Sequence, residues 1–186
     1  MNEQQIKKIR NSLLVVVIIS QVCQLAWEHF NGGVVTHHLL MRSDLPGVSN
    51  WWGLVILPLL VWLAAISIKK RASLQSREGG ILSDIQRGIL IGFFGMLIVS
   101  VLQSLIFSLG YHSIAKYMLF GFIIIGLFLP LYRVECILGY VLGATFFSGP
   151  AMPFVGVIMF ATVSVLIHLC IKPLILRFKN FKQVSA

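Results

Sequence analysis

The sequence predicts an all-α integral membrane protein, a bundle of six transmembrane helices, on three observations. Of its 186 residues, 58% are hydrophobic and only 11% are charged, whereas soluble domains carry charge on about a quarter of their residues. Six apolar stretches are long enough to cross about 30 Å of hydrocarbon as helices. Basic residues cluster in alternate connections between these stretches. We expect one polytopic domain over residues 1–186, with helices at about 11–29, 51–68, 88–109, 113–132, 134–149 and 153–172.

Lysine and arginine residues predict the orientation of the bundle. All 15 of them except Arg42 and Lys116 lie before the first helix, after the sixth, or in the second–third and fourth–fifth connections. Cytoplasmic loops are enriched in these residues, so the N and C termini are both predicted to be cytoplasmic. The compact chain suggests a bacterial inner membrane. The net charge of +9 then reflects contact with anionic lipid headgroups, and nucleic-acid binding is not expected because the cations are spread over separate loops.

The first helix carries a polar face and leads into an unusual connection. Gln21, Gln24 and Glu28 follow i, i+3, i+7 spacing and therefore share one side of the helix. Asn31, Gly32 and Gly33 are expected to end it, since glycine adopts the left-handed cap conformation. The next residues, 34–41 (VVTHHLLM), are too apolar for a hydrated loop and too few to span a membrane. They predict a partly apolar outer loop or a half-helix that lies in the interface or dips into the protein.

The second helix is bounded by turn, cap and anchor residues. Residues 43–47 (SDLPG) predict a turn. Ser49 and Asn50 are expected to cap the helix, because short polar side chains bond to the free N–H groups of a helix start. Trp51 and Trp52 are expected to lie at the level of the lipid headgroups, where tryptophan is enriched.

The third to sixth helices are distinguished by small and polar residues. The third follows the polar connection 69–87, and the fifth, which is short, ends near Gly149 and Pro150. Gly139 and Gly143 suit the close approach of another helix to the fifth. The cytoplasmic halves are poor in polar residues, with Ser67, Thr162, Ser164 and His168 as the main exceptions.

Polar side chains inside the predicted spans gather towards the outer leaflet, beneath the first connection. Such groups are costly in a bilayer and usually have partners, so their depth is informative. Gln103 and Ser104 on the third helix rise towards His112, and they lie at the same predicted side as the polar face of the first helix. We therefore predict a polar pocket that opens away from the cytosol.

The residue types around this pocket predict a small membrane enzyme that uses a divalent, zinc-like metal. Imidazole and carboxylate groups are the usual ligands of such ions, and a bound water could then attack an ester or amide. The predicted reaction is hydrolysis or transfer on a lipid or lipid-linked substrate. The spacings match no established zinc motif. The candidate metal ligands are Glu28, His37, His38, Asp44 and His112. The candidate catalytic residues are Glu28, His37, His38 and His112, and the candidate substrate-binding residues are Gln21, Gln24, Asp44, Ser49, Asn50, Gln103 and Ser104.

Two other functions remain open from the sequence. In a transporter, the first and third helices would line a polar path from outside. In a non-catalytic assembly subunit, the first connection would be a docking surface. Glu28 could also form a simple ion pair with Arg42 or Lys116. Membrane lipids are the expected partners, with a lipid-like or small-molecule substrate, and the sequence leaves the oligomeric state open.

Overall fold

The computed structural model describes residues 3–38, 44, 46–77, 82–171 and 173. Within these residues the chain is mostly helical. The α-helices are α1 (Glu3–Phe30), α2 (Gly53–Arg77), α3 (Leu82–Ser108), α4 (His112–Phe128), α5 (Val134–Ser148) and α6 (Ala151–Val165). Two short strands, β1 (Thr36–His38) and β2 (Gly47–Ser49), and a 3-10 turn (Asn50–Trp52) connect α1 to α2, and a π-helical segment (Leu166–Ile171) continues α6.

The described helices agree in number with the six predicted from the sequence. Four of them are long and apolar enough to cross a membrane: Gln4–Phe30, Asn50–Leu74, Gln86–Ser108 and Ala151–Cys170. α4 and α5 are shorter, with 17 and 15 residues. Large apolar side chains such as Val16, Ile91 and Phe94 point outwards from the bundle and are more than half exposed. This composition and this apolar exterior are compatible with an integral membrane protein.

Helix α5 lies at the centre of the bundle and packs against α2, α3 and α6. Val141 in its middle is completely buried. Gly139 and Gly143 face α3, and a side chain at Gly143 would come within 2.6 Å of the Leu97 carbonyl oxygen. These two glycines therefore permit the close helix–helix approach that their spacing predicts.

The connection between α1 and α2 contains a β-hairpin, so the half-helix predicted there is wrong for residues 36–38. β1 and β2 pair antiparallel, with His37 opposite Val48 and His38 opposite Gly47. Gly32 and Gly33 adopt positive φ angles of 116° and 105°, which turn the chain out of α1. The β-branched residues 34–36 that follow favour extended backbone. Residues 39–43 and 45, among them Arg42, lie outside the described residues.

The observed helices extend beyond the predicted apolar stretches. α1 begins at Glu3 rather than near residue 11, and α2 continues to Arg77 rather than ending near residue 68. Both extensions are polar and rich in Lys, Arg and Gln, which are good helix formers. Hydropathy therefore located the apolar part of each helix and not the whole helix.

Two contacts define the ends of the bundle. Near the hairpin, Gln24 of α1 bonds to Thr145 of α5. At the other extreme, Arg71 of α2 pairs with Glu135 of α5. We call these the hairpin end and the opposite end.

Candidate functional site

The polar face of α1 points into the bundle at the hairpin end. Gln21 is 1% exposed, and Gln24 and Glu28 are half-buried. The Gln21 amide lies 3.4 Å from the backbone oxygen of Asn50, and the Gln24 amide donates to the backbone oxygen of Thr145 at 3.2 Å. These two bonds join α1 to the 3-10 turn that precedes α2 and to α5.

The Glu28 carboxylate is held by three hydrogen-bond donors. Oε1 accepts from the Asn50 amide at 2.7 Å and from the Gln24 amide at 3.2 Å, and Oε2 accepts from the backbone N–H of Val35 at 3.0 Å. Each carboxylate oxygen accepts about two bonds, so Oε1 is saturated, whereas Oε2 accepts one bond from the described residues.

Asn50 connects this carboxylate to the hairpin. It is 2% exposed, and its backbone N–H donates to the Val35 oxygen at 3.1 Å. Ser49 makes no side-chain cap bond at the start of the 3-10 turn. The predicted capping role of these two residues is therefore wrong: among the described residues no N–H donates to the Asn50 Oδ1 atom, which would accept the cap bond, and the Asn50 Nδ2 group donates to Glu28 across the site.

The loop between α5 and α6 closes over Asn50. Gly149 has a φ of 64°, and a side chain there would collide with the Asn50 Oδ1 atom. Thr145 contributes only its backbone oxygen to the network. The Gly-Pro pair at the end of α5 was the sequence signal for this loop, but nothing in the sequence predicted that the loop would contact Asn50.

A cavity of about 730 Å³ opens beside Glu28 and is lined by polar and aromatic side chains. Glu28, His37 and Asn50 provide its polar side, and Trp27 and Phe146 are among its apolar walls. The sequence analysis assigned no role to these two aromatic residues, which lie on different helices and become neighbours only in the folded bundle.

His37 is half-buried at this cavity. Burial lowers the pKa of the imidazole below its usual 6.5, and the negative charge of Glu28 opposes this shift. The ring is therefore mostly neutral at pH 7, with a lone pair on one nitrogen.

The other predicted site residues are distributed differently. His38 follows His37 on β1 and is exposed, because successive strand residues point to opposite faces. Asp44 is also exposed, and Ser49 is half-buried. The side chain of His112, at the start of α4, lies outside the described residues. Over the described residues, no three His, Cys, Asp or Glu side chains form a group that could hold a metal ion.

Gln103 and Ser104 do not line the cavity. Gln103 accepts a hydrogen bond from the Tyr140 hydroxyl at 2.8 Å and so joins α3 to α5. Ser104 is half-buried on α3. Their predicted depth placed them near the polar face of α1, but depth carries no information about which way a helix faces.

An ion pair between a half-buried arginine and a buried glutamate at the opposite end had no counterpart in the sequence analysis. Arg71 Nη2 lies 2.6 Å from Glu135 Oε1, and Glu135 is 2% exposed. A single acidic residue at the start of an apolar helix was the available signal, but its partner lies 64 residues away.

No family model, curated protein or solved structure matches this chain.

Proposed function

We propose that this protein is an integral-membrane enzyme of the bacterial cytoplasmic membrane that acts on a lipid or lipid-linked substrate at the hairpin end. In this proposal the termini are cytoplasmic and the hairpin end faces away from the cytosol. The observation that carries the proposal is that Glu28, held by three donors, and the neutral imidazole of His37 line one cavity.

His37 is the proposed general base. A neutral imidazole can take the proton from a water or substrate hydroxyl as that oxygen attacks an ester or amide carbonyl. The imidazolium so formed carries a positive charge, and the Glu28 carboxylate stabilises it. The imidazolium then gives the proton to the leaving alcohol or amine as the carbonyl C–O or C–N bond breaks, which returns His37 to its neutral form. Carboxylate–histidine pairs perform this role in other hydrolases. The hydrogen bonds to Glu28 fix the carboxylate in place and therefore support this arrangement.

The walls of the cavity support an amphipathic substrate. Trp27 and Phe146 are 71% and 69% exposed on the outside of the bundle, and Cys23 is exposed beside them. In a membrane these surfaces contact lipid tails. A substrate could therefore keep its apolar chain in the bilayer while its polar group reaches Glu28 and His37.

A metal-assisted form of the same site would use His37 and Glu28 Oε2, the carboxylate oxygen that accepts one hydrogen bond from the described residues. A catalytic zinc site needs about three protein ligands, and the sequence offers His112 or Asp44 as the third. Bound metal would supply an ionised water at neutral pH. Metal analysis of the purified protein separates the two forms: a stoichiometric metal that is lost in His37→Gln selects the metal form, and active metal-free protein selects the acid–base form.

The transporter alternative has weaker support. One turn beneath the polar network, α1, α2 and α5 contribute the buried apolar residues Val17, Leu57 and Val141. The network therefore ends on the apolar core, whereas a carrier needs polar groups that continue through the bundle.

A comparison of membrane lipids tests the enzyme proposal. Cells that express the protein, Glu28→Gln or His37→Gln are compared with cells that carry an empty vector, by mass spectrometry of extracted lipids. We expect the unaltered protein to change the amount of one lipid class and both variants to return it to the vector level. His29→Gln is the matched control, since His29 is exposed and does not line the cavity. If Glu28→Gln and His37→Gln alter the lipids as the unaltered protein does, the proposal is wrong.

A further inference from the structure

A second cavity, of about 480 Å³, lies towards the opposite end of the bundle. It is a groove between α1 and α3, with α2 and α5 behind it. Its lining is almost entirely apolar and includes Ile9, Leu13, Phe93 and Leu138. This opposite-end groove is separate from the proposed active site in both position and chemistry.

The groove follows from how the helices pair. α1 packs on α2, and α3 packs closely on α5, where Gly139 and Gly143 draw the two helices together. α1 and α3 are left on either side of an opening. Ile9 and Phe94, which line it from the two sides, are 49% and 52% exposed, so the groove is open along the flank of the bundle.

The charge around the groove is positive. Arg10 lines it, and within the part of the chain that the structure describes its guanidinium donates to the neighbouring Asn11 side chain, at 2.9 and 3.1 Å. Glu135 also lines the groove, but Arg71 neutralises it. The same end carries further Lys and Arg residues among those described, including Lys7, Lys8, Lys69, Lys70, Arg87 and Arg133.

We propose that the opposite-end groove binds an anionic phospholipid, with an acyl chain along the apolar walls and the phosphate at Arg10. The apolar lining suits a hydrocarbon chain, and guanidinium groups bind phosphate through paired hydrogen bonds. The surrounding cations favour a lipid with net negative charge over a zwitterionic one. This inference concerns a binding site beyond the proposed enzymatic function and does not depend on it.

Native mass spectrometry of the purified full-length protein tests the proposal with two lipids that have identical acyl chains, phosphatidylglycerol and phosphatidylcholine. We expect tighter binding of phosphatidylglycerol. Arg10→Gln should weaken that binding about fivefold, because one basic residue contributes about 1 kcal/mol to the attraction of anionic lipid. Arg87→Gln is the matched control: it removes the same charge at the same end, but Arg87 is exposed and does not line the groove.

Filling the groove provides a second measurement. Ala65 is half-buried and lines the groove, so Ala65→Phe should occupy it and reduce binding of both lipids. Circular dichroism checks whether Ala65→Phe is folded. If it is not, the proposal is tested by Arg10→Gln alone. Equal binding of the two lipids, or equal loss in Arg10→Gln and Arg87→Gln, would overturn the proposal. A dimer that disappears in Ala65→Phe would also overturn it, by showing that a second copy of the chain occupies the groove.

Discussion

The hydrogen bond between Asn50 and Glu28 should contribute measurably to stability. Asn50→Ala removes the 2.7 Å hydrogen bond that the Asn50 amide donates to the charged Glu28 carboxylate. Asn50 is only 2% exposed, so water does not replace this bond easily. Hydrogen bonds to charged groups contribute about 1.5–3 kcal/mol. The Gln24 and Val35 donors still hold Glu28, so the carboxylate is not left bare. We therefore expect Asn50→Ala to lower the free energy of unfolding by about 2 kcal/mol.

A double-mutant cycle isolates this interaction. Glu28→Gln should cost a similar amount, because the glutamine amide leaves at least one of the three donors without an acceptor. The double variant should cost about 1–2 kcal/mol less than the sum of the single variants, since both lose the same bond. Reversible unfolding in mixed SDS–detergent micelles measures all four free energies.

Asn11→Ala is the matched control for this cycle. Asn11 is exposed on α1, and its substitution should change stability by no more than about 0.5 kcal/mol. The assignment of Glu28 as the centre of the network would be refuted by either of two results. Asn50→Ala and Glu28→Gln could each lower the free energy of unfolding by as little as Asn11→Ala does, or their effects could add without coupling in the double variant.

Three further outcomes are expected. In NMR spectra of histidine-labelled protein, the pKa of His37 should lie below 6.5, and Glu28→Gln should lower it further because the opposing negative charge is lost. The stability due to neutral His37 is then fully present above pH 6.5 and falls as the pH drops through the folded-state pKa. A pKa at or above 6.5 would contradict the burial of this imidazole. Gly149→Ala should lower the free energy of unfolding, measured by thermal unfolding, by about 3 kcal/mol, because of the positive φ angle and the collision with Asn50. In the Asn50→Ala background the collision is absent, and the loss should be only about 1 kcal/mol. Equal losses in the two backgrounds would exclude the collision. Arg71→Ala should lower the free energy of unfolding by about 3 kcal/mol, because it leaves the buried Glu135 charge without its partner. Replacing both residues with apolar ones should restore most of that stability. A double variant as unstable as Arg71→Ala would show that the unpaired Glu135 charge does not cause the loss.

Local patterns explain which parts of the site were predictable. Gln21, Gln24 and Glu28 share a face because of helical periodicity, and that face requires only that α1 be a helix. The adjacent histidines were different. On a helix, two adjacent residues point about 100° apart, so both histidines could face the same metal ion only with difficulty. On the observed strand they point to opposite faces, and His37 lines the cavity whereas His38 does not. Their separate environments depend on the pairing of β1 with β2, in which His37 lies opposite Val48, 11 residues further along the chain.

The sequence by itself determined that this chain forms apolar helices, because hydrophobic length and composition act on each segment alone. It also determined the polar stripe of α1. Only the tertiary structure decided that Asn50 and the Val35 amide hold Glu28, that Gly149 closes over Asn50, and that Arg71 meets Glu135. These contacts join residues as many as 99 positions apart (Asn50 and Gly149). They depend on how each helix is rotated about its axis, which is set by the packing of the whole bundle and not by any one segment.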